Sequence, residues 1–312
     1  MGSNQTWITE VILLGFQFDP EVETFLFGLF LLFYSLTLMG NGLILGLIIL
    51  DSRLHTPMYF FLSNLAIVDM SFASSIVPKM LEILIAHKTT MSFVPCILQT
   101  LLYLTFAITE CTSLVVMSYD RYVAICHPLH YSVIMSWKVC TVLTAFCWVF
   151  SFLTALVHVS LLLRLPFCGP QTINHFFCQL LALIKLTCGD TRINKIVLIV
   201  GSMLVLVVPL CLVLVSYTHI LIAILKIQSK EGRKKAFSTC SSHLCVVGLF
   251  FINAIILYMT PKFIQSEKQK KILSLFYCLF NPMLNPLIYS LRNSEVKGAL
   301  RRVLKRKRAV WN

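Results

Sequence analysis

Long apolar runs separated by short polar segments dominate the pattern along this chain of 312 residues. Seven runs approach or exceed the roughly 20 residues with which a helix spans about 30 Å of hydrocarbon. A backbone in lipid has to satisfy its own hydrogen bonds, and continuous runs without strand-like alternation do so as helices. The pattern predicts an all-α membrane protein, a bundle of seven transmembrane helices. The predicted spans are Phe25–Leu50, Tyr59–Ile83, Cys96–Tyr119, Val139–Leu163, Ile196–Leu225, Ser238–Met259 and Ile272–Leu291.

The composition agrees with a lipid environment. Hydrophobic residues make up 58% of the chain and charged residues 12%, with a mean hydropathy of +0.84. A soluble domain carries roughly a quarter of charged residues. We therefore divide the chain into an extracellular N-terminal tail (1–24), a seven-transmembrane domain (25–291) and a cytoplasmic basic tail (292–312). The N-terminal stretch holds no lysine or arginine, which is unlike a signal peptide.

Basic residues set the orientation across the membrane. They are more frequent on the side that holds residues 292–312, so the positive-inside rule places the N-terminus outside and the C-terminus inside. The net charge of +13 is then explained by contact with membrane lipid rather than with nucleic acid. An N-glycosylation sequon begins at Asn4, in the predicted outer tail.

Four motifs fall at the inner ends of the predicted spans: Leu54–Asp69, Met117–Tyr131, Lys235–Leu244 and Pro282–Asn293. In this order and at these depths they resemble the signatures of vertebrate olfactory receptors, within the rhodopsin-like G-protein-coupled receptors and the class II (tetrapod-type) group. The resemblance covers nearly the whole chain and implies a rhodopsin-like bundle. It also implies location in the plasma membrane, in the cilia of olfactory sensory neurons.

The implied function is that of an odorant receptor. It would bind a small volatile odorant, mostly apolar and neutral, and activate a heterotrimeric G protein of the stimulatory olfactory type that raises cAMP. It would not be an enzyme, since it makes and breaks no bonds in its ligand. The alternatives are a non-olfactory rhodopsin-like receptor for another small ligand, and a transporter or channel. A channel would need a polar face along several spans, for which only Asp69 and Glu110 are candidates.

Arg121, at the inner end of the third span, is the main candidate for a conformational switch. A guanidinium at a membrane boundary is costly unless it is paired or faces a cavity, although a snorkelling arginine is an alternative. We expect Asp120 to hold Arg121 at rest and to release it on activation. Asn285 and Pro286 predict a kink in the seventh span, which is either structural or part of the same switch. The expected coupling and switch residues are Asp120, Arg121, Tyr122, Tyr217, His243, Asn285, Pro286 and Tyr289.

Asp69 and Glu110 are the acids that lie well inside the predicted spans. Intramembrane carboxylates are functional candidates by default. If the two face each other, they cannot both be ionised without a cation between them, so either one is protonated or a sodium ion binds. We expect no other cofactor. A catalytic carboxylate pair is the competing hypothesis, but no nucleophile or metal site lies nearby.

Four of the twelve cysteines fall on the outer side, where disulfides persist. Four cysteines allow three connectivities, and the sequence alone does not choose between them. The resemblance implies the pairs Cys96–Cys178 and Cys168–Cys188. His175 and Cys178 could alternatively be a metal-ligand pair, which would require a free thiolate at Cys178 that the expected disulfide removes.

The ligand pocket is expected in the outer half of the bundle, between spans three, five, six and seven, as in the family. The lining positions carry no formal charge, so a charged ligand would lose its hydration without gaining a partner. Packing between helices is the alternative role for each of them. The expected lining is Tyr103, Leu104, Ala107, Ile108, Ser202, Val205, Leu206, Phe251, Asn253, Ile255, Tyr258 and Leu275.

The basic tail also carries Val296, Leu300, Val303 and Leu304 at helical spacing. Apolar residues at this spacing among lysines and arginines are typical of a short amphipathic helix on the anionic inner leaflet. A disordered basic tail is the alternative.

Overall fold

The structure is a computed structural model that describes residues 9–168, 170–259, 266–292 and 294–311; Asn4 lies outside these residues. In the described part, seven helices are long and apolar enough to cross a membrane. They are α1 (Pro20–Leu50), α2 (Pro57–Ala86), α3 (Phe93–Cys126), α4 (Trp137–Leu163), α5 (Arg192–Leu225), α6 (Lys230–Met259) and α7, which consists of Glu267–Leu275, Phe276–Phe280 and Asn281–Arg292.

The helices form a bundle in which α3 occupies the centre. It packs against α2, α4 and α5, while α1 packs against α2 and α7, and α6 against α7. One face of each helix is buried in the bundle and the other stays apolar and exposed, as at Met39, Ile49 and Phe146. An apolar outer surface of this kind is stable only in lipid, which makes the chain a multi-pass membrane protein.

The helices extend beyond the spans that the sequence predicts. All seven begin two to eight residues earlier, and α3 continues to Cys126, past the predicted end at Tyr119. The hydropathy pattern reports only the part of a helix that lies in hydrocarbon, whereas the backbone stays helical into the polar interface. The first predicted domain boundary, at residue 25, therefore lies inside α1.

Two helices contain a π-helical segment next to a proline. In α5 it covers Met203–Val207 and ends two residues before Pro209, and in α7 it covers Phe276–Phe280 and ends two residues before Pro282. Proline lacks the N–H that an α-helix needs, and a local widening of the helix accommodates the lost hydrogen bond. Besides Pro286, where the sequence predicts a kink, α7 thus has a second irregular site next to Pro282, one turn closer to the outer side.

The N-terminal segment is folded rather than a free tail over its described part. Strand β1 (Glu10–Leu13) pairs antiparallel with β2 (Thr90–Ser92) and parallel with β3 (Thr172–Ile173). After the strand, Gly15 adopts a left-handed φ of 58°, and its carbonyl accepts a hydrogen bond of 2.6 Å from Lys271 Nζ. The segment is therefore tied to the loop between α2 and α3, to the loop between α4 and α5, and to α7.

The C-terminal segment forms a further helix, α8 (Ser294–Trp311). Val296 is buried and Leu300 packs against the core, while Leu304 is exposed. The Arg302 guanidinium forms an ion pair with Asp51 at the end of α1, with Nε 2.8 Å from Oδ2. This hydrogen bond holds the pKa of Asp51 below its usual range. The predicted amphipathic helix is present and is anchored to the bundle by its first turns.

Candidate functional site

A cavity lies in the outer half of the bundle, with a volume of about 580 Å³ including the open space at its mouth. Its walls come from five helices, α3 to α7. Six of the lining positions predicted from the sequence are present: Leu104, Ala107, Ile108, Ser202, Val205 and Leu206. The remaining lining residues are Cys111, Thr154, His158, Leu198, Gly201, Phe250, Ala254 and Tyr277.

The prediction missed the contribution of α4. Thr154 and His158 lie one turn apart on this helix, and both line the cavity. Gly201 allows the close approach of α5, because a Cβ there would lie 3.2 Å from His158 Nε2. The signal was in the sequence, as a histidine inside a long apolar run, a position that polar residues occupy only with a partner or beside a cavity.

Several predicted lining residues have other partners. Tyr103 is fully buried in an aromatic cluster, with its ring 5.8 Å from Phe72 and 5.1 Å from Phe177. Asn253 donates a hydrogen bond of 3.1 Å to Asn281 Oδ1, so its amide joins α6 to α7. For both residues the prediction is corrected, because helical position gave depth in the membrane but not the direction of the side chain.

Four predicted lining residues remain, of which three are apolar and one is a tyrosine. Phe251, Ile255 and Leu275 pack in the bundle core and do not line the cavity. The side chain of Tyr258 lies outside the described residues. The three apolar residues therefore have the alternative role, which is packing between helices.

The outer loop after α4 covers the bundle and is fixed by disulfides. Cys96, at the start of α3, is bonded to Cys178, and Cys168 is bonded to Cys188 within the loop. Hydrogen bonds hold the backbone of Cys178 as well: its N–H donates to Gln99 Oε1, and its carbonyl accepts from the hydroxyl of Thr100. With its sulfur in the disulfide, Cys178 is not a thiolate ligand for a metal.

His175 joins this loop to α7. Its Nε2 lies 3.3 Å from Ser274 Oγ, and its ring packs against Phe176 and Phe177. Burial, reinforced by the positive charge of Lys271, lowers the pKa of His175 to about 3. The ring is therefore neutral at physiological pH and behaves as part of the aromatic cover.

The two intramembrane acids belong to a polar cluster between α2, α3 and α7. Asn285 Nδ2 donates to Asp69 Oδ2 at 3.0 Å, and Glu110 lies close enough to interact with the charge of Asp69. Both acids are fully buried. Among the described residues, Asp69 Oδ1 and Glu110 Oε1 have no hydrogen-bond partner. Two buried oxygens without partners fit either a proton or a hard cation such as sodium.

The expected pairing of Asp120 with Arg121 is not the arrangement found. Asp120 Oδ1 accepts a hydrogen bond of 2.7 Å from the hydroxyl of Tyr131, in the loop after α3. In the described part of the chain Arg121 forms no ion pair with Asp120. Successive residues on an α-helix point about 100° apart, so adjacency in the motif does not bring the two side chains together.

Arg121 instead faces a second cavity, of about 350 Å³, near the cytoplasmic side. His243 and Tyr289, two of the expected switch residues, line the same cavity. The hydroxyl of Tyr217 is hydrogen-bonded to His243 Nδ1, which joins α5 to α6. Tyr122 lies apart from this cavity, with its hydroxyl 3.2 Å from His127 Nε2.

Comparison with known proteins gives a consistent result. A family model described as "Olfactory receptor" matches residues 30–307. Olfactory receptor 2A12 of Homo sapiens is 74% identical over 310 residues, which cover 99% of this chain and 100% of the relative. Olfactory receptor 2A5 of Homo sapiens is 66% identical and olfactory receptor 2A7 of Mus musculus is 59% identical, both over 310 residues, 99% of this chain and 100% of each relative.

Proposed function

The chain belongs to the olfactory receptor family, in its class II group, and from that premise we propose how its two cavities act together. It is an odorant-sensing G-protein-coupled receptor of the plasma membrane, and it crosses the bilayer seven times. The ligand is a small volatile molecule, mostly apolar and uncharged, bound between α3, α4, α5, α6 and α7. The partner on the cytoplasmic face is a heterotrimeric G protein of the stimulatory type.

The composition of the outer cavity supports this ligand class most directly. Among the described residues, no lysine, arginine, aspartate or glutamate lines it, and most of its wall is aliphatic or aromatic. An ion entering such a site would lose its hydration without a charged partner, at a cost of several kcal/mol. A neutral molecule gains by burying its own apolar surface, at about 0.8 kcal/mol for each methylene group.

Coupling follows from a shift between two arrangements of the bundle. A ligand that binds the active arrangement more tightly increases its population, and the free energy available equals the difference between the two affinities. The cytoplasmic cavity around Arg121, His243 and Tyr289 is the region that changes. Separation of the inner ends of α5 and α6 would break the bond between Tyr217 and His243 and open a docking cleft.

The buried acids belong to the same proposal. Asp69 and Glu110 hold one cation between them, either a proton or a sodium ion. Their unpartnered oxygens and the hydrogen bond from Asn285 support this role. On α3, Glu110 directly precedes Cys111 of the outer cavity and lies two turns before Met117 of the inner one, so a change in its charge would affect both.

Filling the outer cavity tests the proposed site. Ala107 lines the cavity on α3, whereas Ala145 is exposed on the outer face of α4. We expect Ala107→Phe to abolish the cAMP response of cells to a panel of neutral odorants, with normal receptor at the cell surface. The matched control Ala145→Phe should respond like the parent. Equal responses from both variants would place the ligand elsewhere.

A further inference from the structure

The direction of the hydrogen bonds around the outer cavity narrows the ligand class further. Four side chains in the part of its wall formed by α3, α4 and α5 carry a hydrogen that can be donated: Cys111, Thr154, His158 and Ser202. A tyrosine, Tyr277, lines the cavity from α7. Each of the four donors already uses its hydrogen within the receptor. A ligand can therefore form hydrogen bonds only with the atoms of these side chains that are not already bonded within the receptor.

Three of the four donors are bonded to backbone carbonyls by their oxygen or sulfur. The Thr154 hydroxyl donates to the carbonyl of Phe150 at 2.8 Å, and the Ser202 hydroxyl donates to that of Leu198 at 2.7 Å. The Cys111 thiol donates across to α5, to the carbonyl of Val205. A hydroxyl that donates to its own helix keeps its lone pairs available, so Thr154 and Ser202 remain acceptors.

His158 is the fourth donor, and its geometry fixes the position of its hydrogen. Nδ1 lies 2.8 Å from the carbonyl oxygen of Thr154. That oxygen offers only lone pairs, so Nδ1 must carry the hydrogen. In the neutral imidazole the other nitrogen then has a bare lone pair. Nε2 has no hydrogen-bond partner among the described residues, and it lies beside Gly201, which also lines the cavity.

We propose that this wall of the cavity selects ligands that donate a hydrogen bond, with His158 Nε2 as the acceptor and Ser202 Oγ beside it. The chemical class is a neutral hydroxyl compound, an aliphatic alcohol or a phenol, in preference to a ketone, aldehyde or ether of the same shape. A carbonyl or ether oxygen placed on this wall meets other lone pairs. It gains a donor only if one of the four groups gives up its present bond. This inference rests on the proposed ligand site.

The test compares octanol, octanal and heptyl methyl ether, which have the same number of heavy atoms and differ in the hydrogen they can donate. Cells that express the receptor are assayed for cAMP over a concentration series of each. We expect octanol to act at about three- to tenfold lower concentration than the other two, the effect of one net hydrogen bond. Equal potency of the three compounds would overturn the proposal.

Two substitutions assign the preference to His158. His158→Leu removes the acceptor, and we expect the ratio of potencies between octanol and the other two compounds to fall to about one. His158→Gln places an amide oxygen near the position of Nε2 and should retain the advantage of octanol. An unchanged advantage in His158→Leu, at parent-like surface expression, would overturn the role of this residue. If that variant does not reach the surface, the comparison of the three compounds on the parent receptor decides.

The outcome separates this inference from the function on which it rests. Responses to all three compounds at equal concentration would leave the odorant receptor in place and refute only the selection of donors. No response to any of them, or to other neutral odorants, would overturn both.

Discussion

Individual side chains in this receptor are placed by their hydrogen-bond partners more than by their neighbours in the sequence. Asp120 turns to the hydroxyl of Tyr131 rather than to the adjacent Arg121. The contact with Asp120 raises the pKa of Tyr131 further above the range set by its burial. The phenol therefore keeps its hydrogen and remains the donor at any physiological pH. Release of this bond would have to accompany any motion of the inner end of α3.

The buried His175 gives a pH dependence whose sign follows from its lowered pKa. The folded receptor binds this proton only near pH 3, whereas an unfolded histidine binds it near its usual value of about 6.5. The contribution to stability is therefore complete above about pH 6.5 and is lost progressively as the pH falls below it. At about pH 5 the loss should be on the order of 2 kcal/mol.

The measurement is the free energy of unfolding of the purified receptor at about pH 7.5 and about pH 5. His175→Phe keeps an aromatic ring among Phe176 and Phe177 but removes the titrating group. We expect the variant to lose less stability than the parent on acidification. The same loss in both proteins would show that other groups titrate and that His175 is not responsible.

At the residue level, the sequence predicted which groups inside the membrane are polar better than it predicted where side chains point. It identified Asp69 and Glu110 as acids inside the membrane but assigned Asn285 to the kink in the seventh span, whereas in the structure Asn285 is hydrogen-bonded to Asp69 and Glu110 lies near by. It placed Tyr103 in the ligand cavity, whereas the ring packs among Phe72 and Phe177. Depth in the membrane follows from residue number along a helix. Rotation about the helix axis depends on packing against several other helices, which hydropathy does not report.

At the level of helices and loops, the structure joins long apolar elements at a few specific points. Gly40 is one of them, because a Cβ there would lie 3.0 Å from Pro286, so α1 approaches α7 closely. Asn41 supports the same contact by donating to the carbonyl of Pro282. The sequence predicted both helices but not the π-helical segments in α5 and α7. Their position depends on how the backbone of each helix adjusts to the hydrogen bond that its proline cannot form.

The disulfide between Cys96 and Cys178 should matter more for assembly than any single contact of the outer loop. The loop begins on α4 and ends on α5, and this bond ties it to α3 over the cavity. Removing a native disulfide costs about 2–5 kcal/mol. We expect Cys178→Ser to reduce the amount of receptor at the cell surface strongly, as measured by labelling of an outer epitope.

Cys211 provides the control for that substitution. It is an unbonded cysteine, exposed on the outer face of α5, so Cys211→Ser changes the same atom without breaking a cross-link. It should reach the surface like the parent receptor. Normal surface levels of Cys178→Ser would contradict the structural role given to the bond.

For the whole molecule, the two cavities lie at different depths along α3. The outer one begins at Leu104 and the inner one includes Met117 and Arg121. Glu110 directly precedes Cys111, the innermost lining residue of the outer cavity on α3, and Tyr217 and His243 join α5 to α6 near the inner end. This order suits a receptor in which odorant binding in the outer cavity increases the population of an arrangement whose inner cavity is open to the G protein. The overall bundle was predictable because hydropathy and the four motifs specify it without any packing detail.

The most direct test is nucleotide exchange on a purified stimulatory heterotrimeric G protein, with the receptor in lipid nanodiscs and octanol as the ligand. We expect exchange to accelerate with octanol concentration and to saturate. Arg121→Ala should bind octanol like the parent and catalyse no exchange, because Arg121 lies in the inner cavity, away from the outer one. Arg301→Ala, an exposed arginine on α8, should behave like the parent. Exchange that is independent of octanol and of other neutral odorants, or that survives Arg121→Ala, would show that the outer cavity does not control G-protein activation through Arg121.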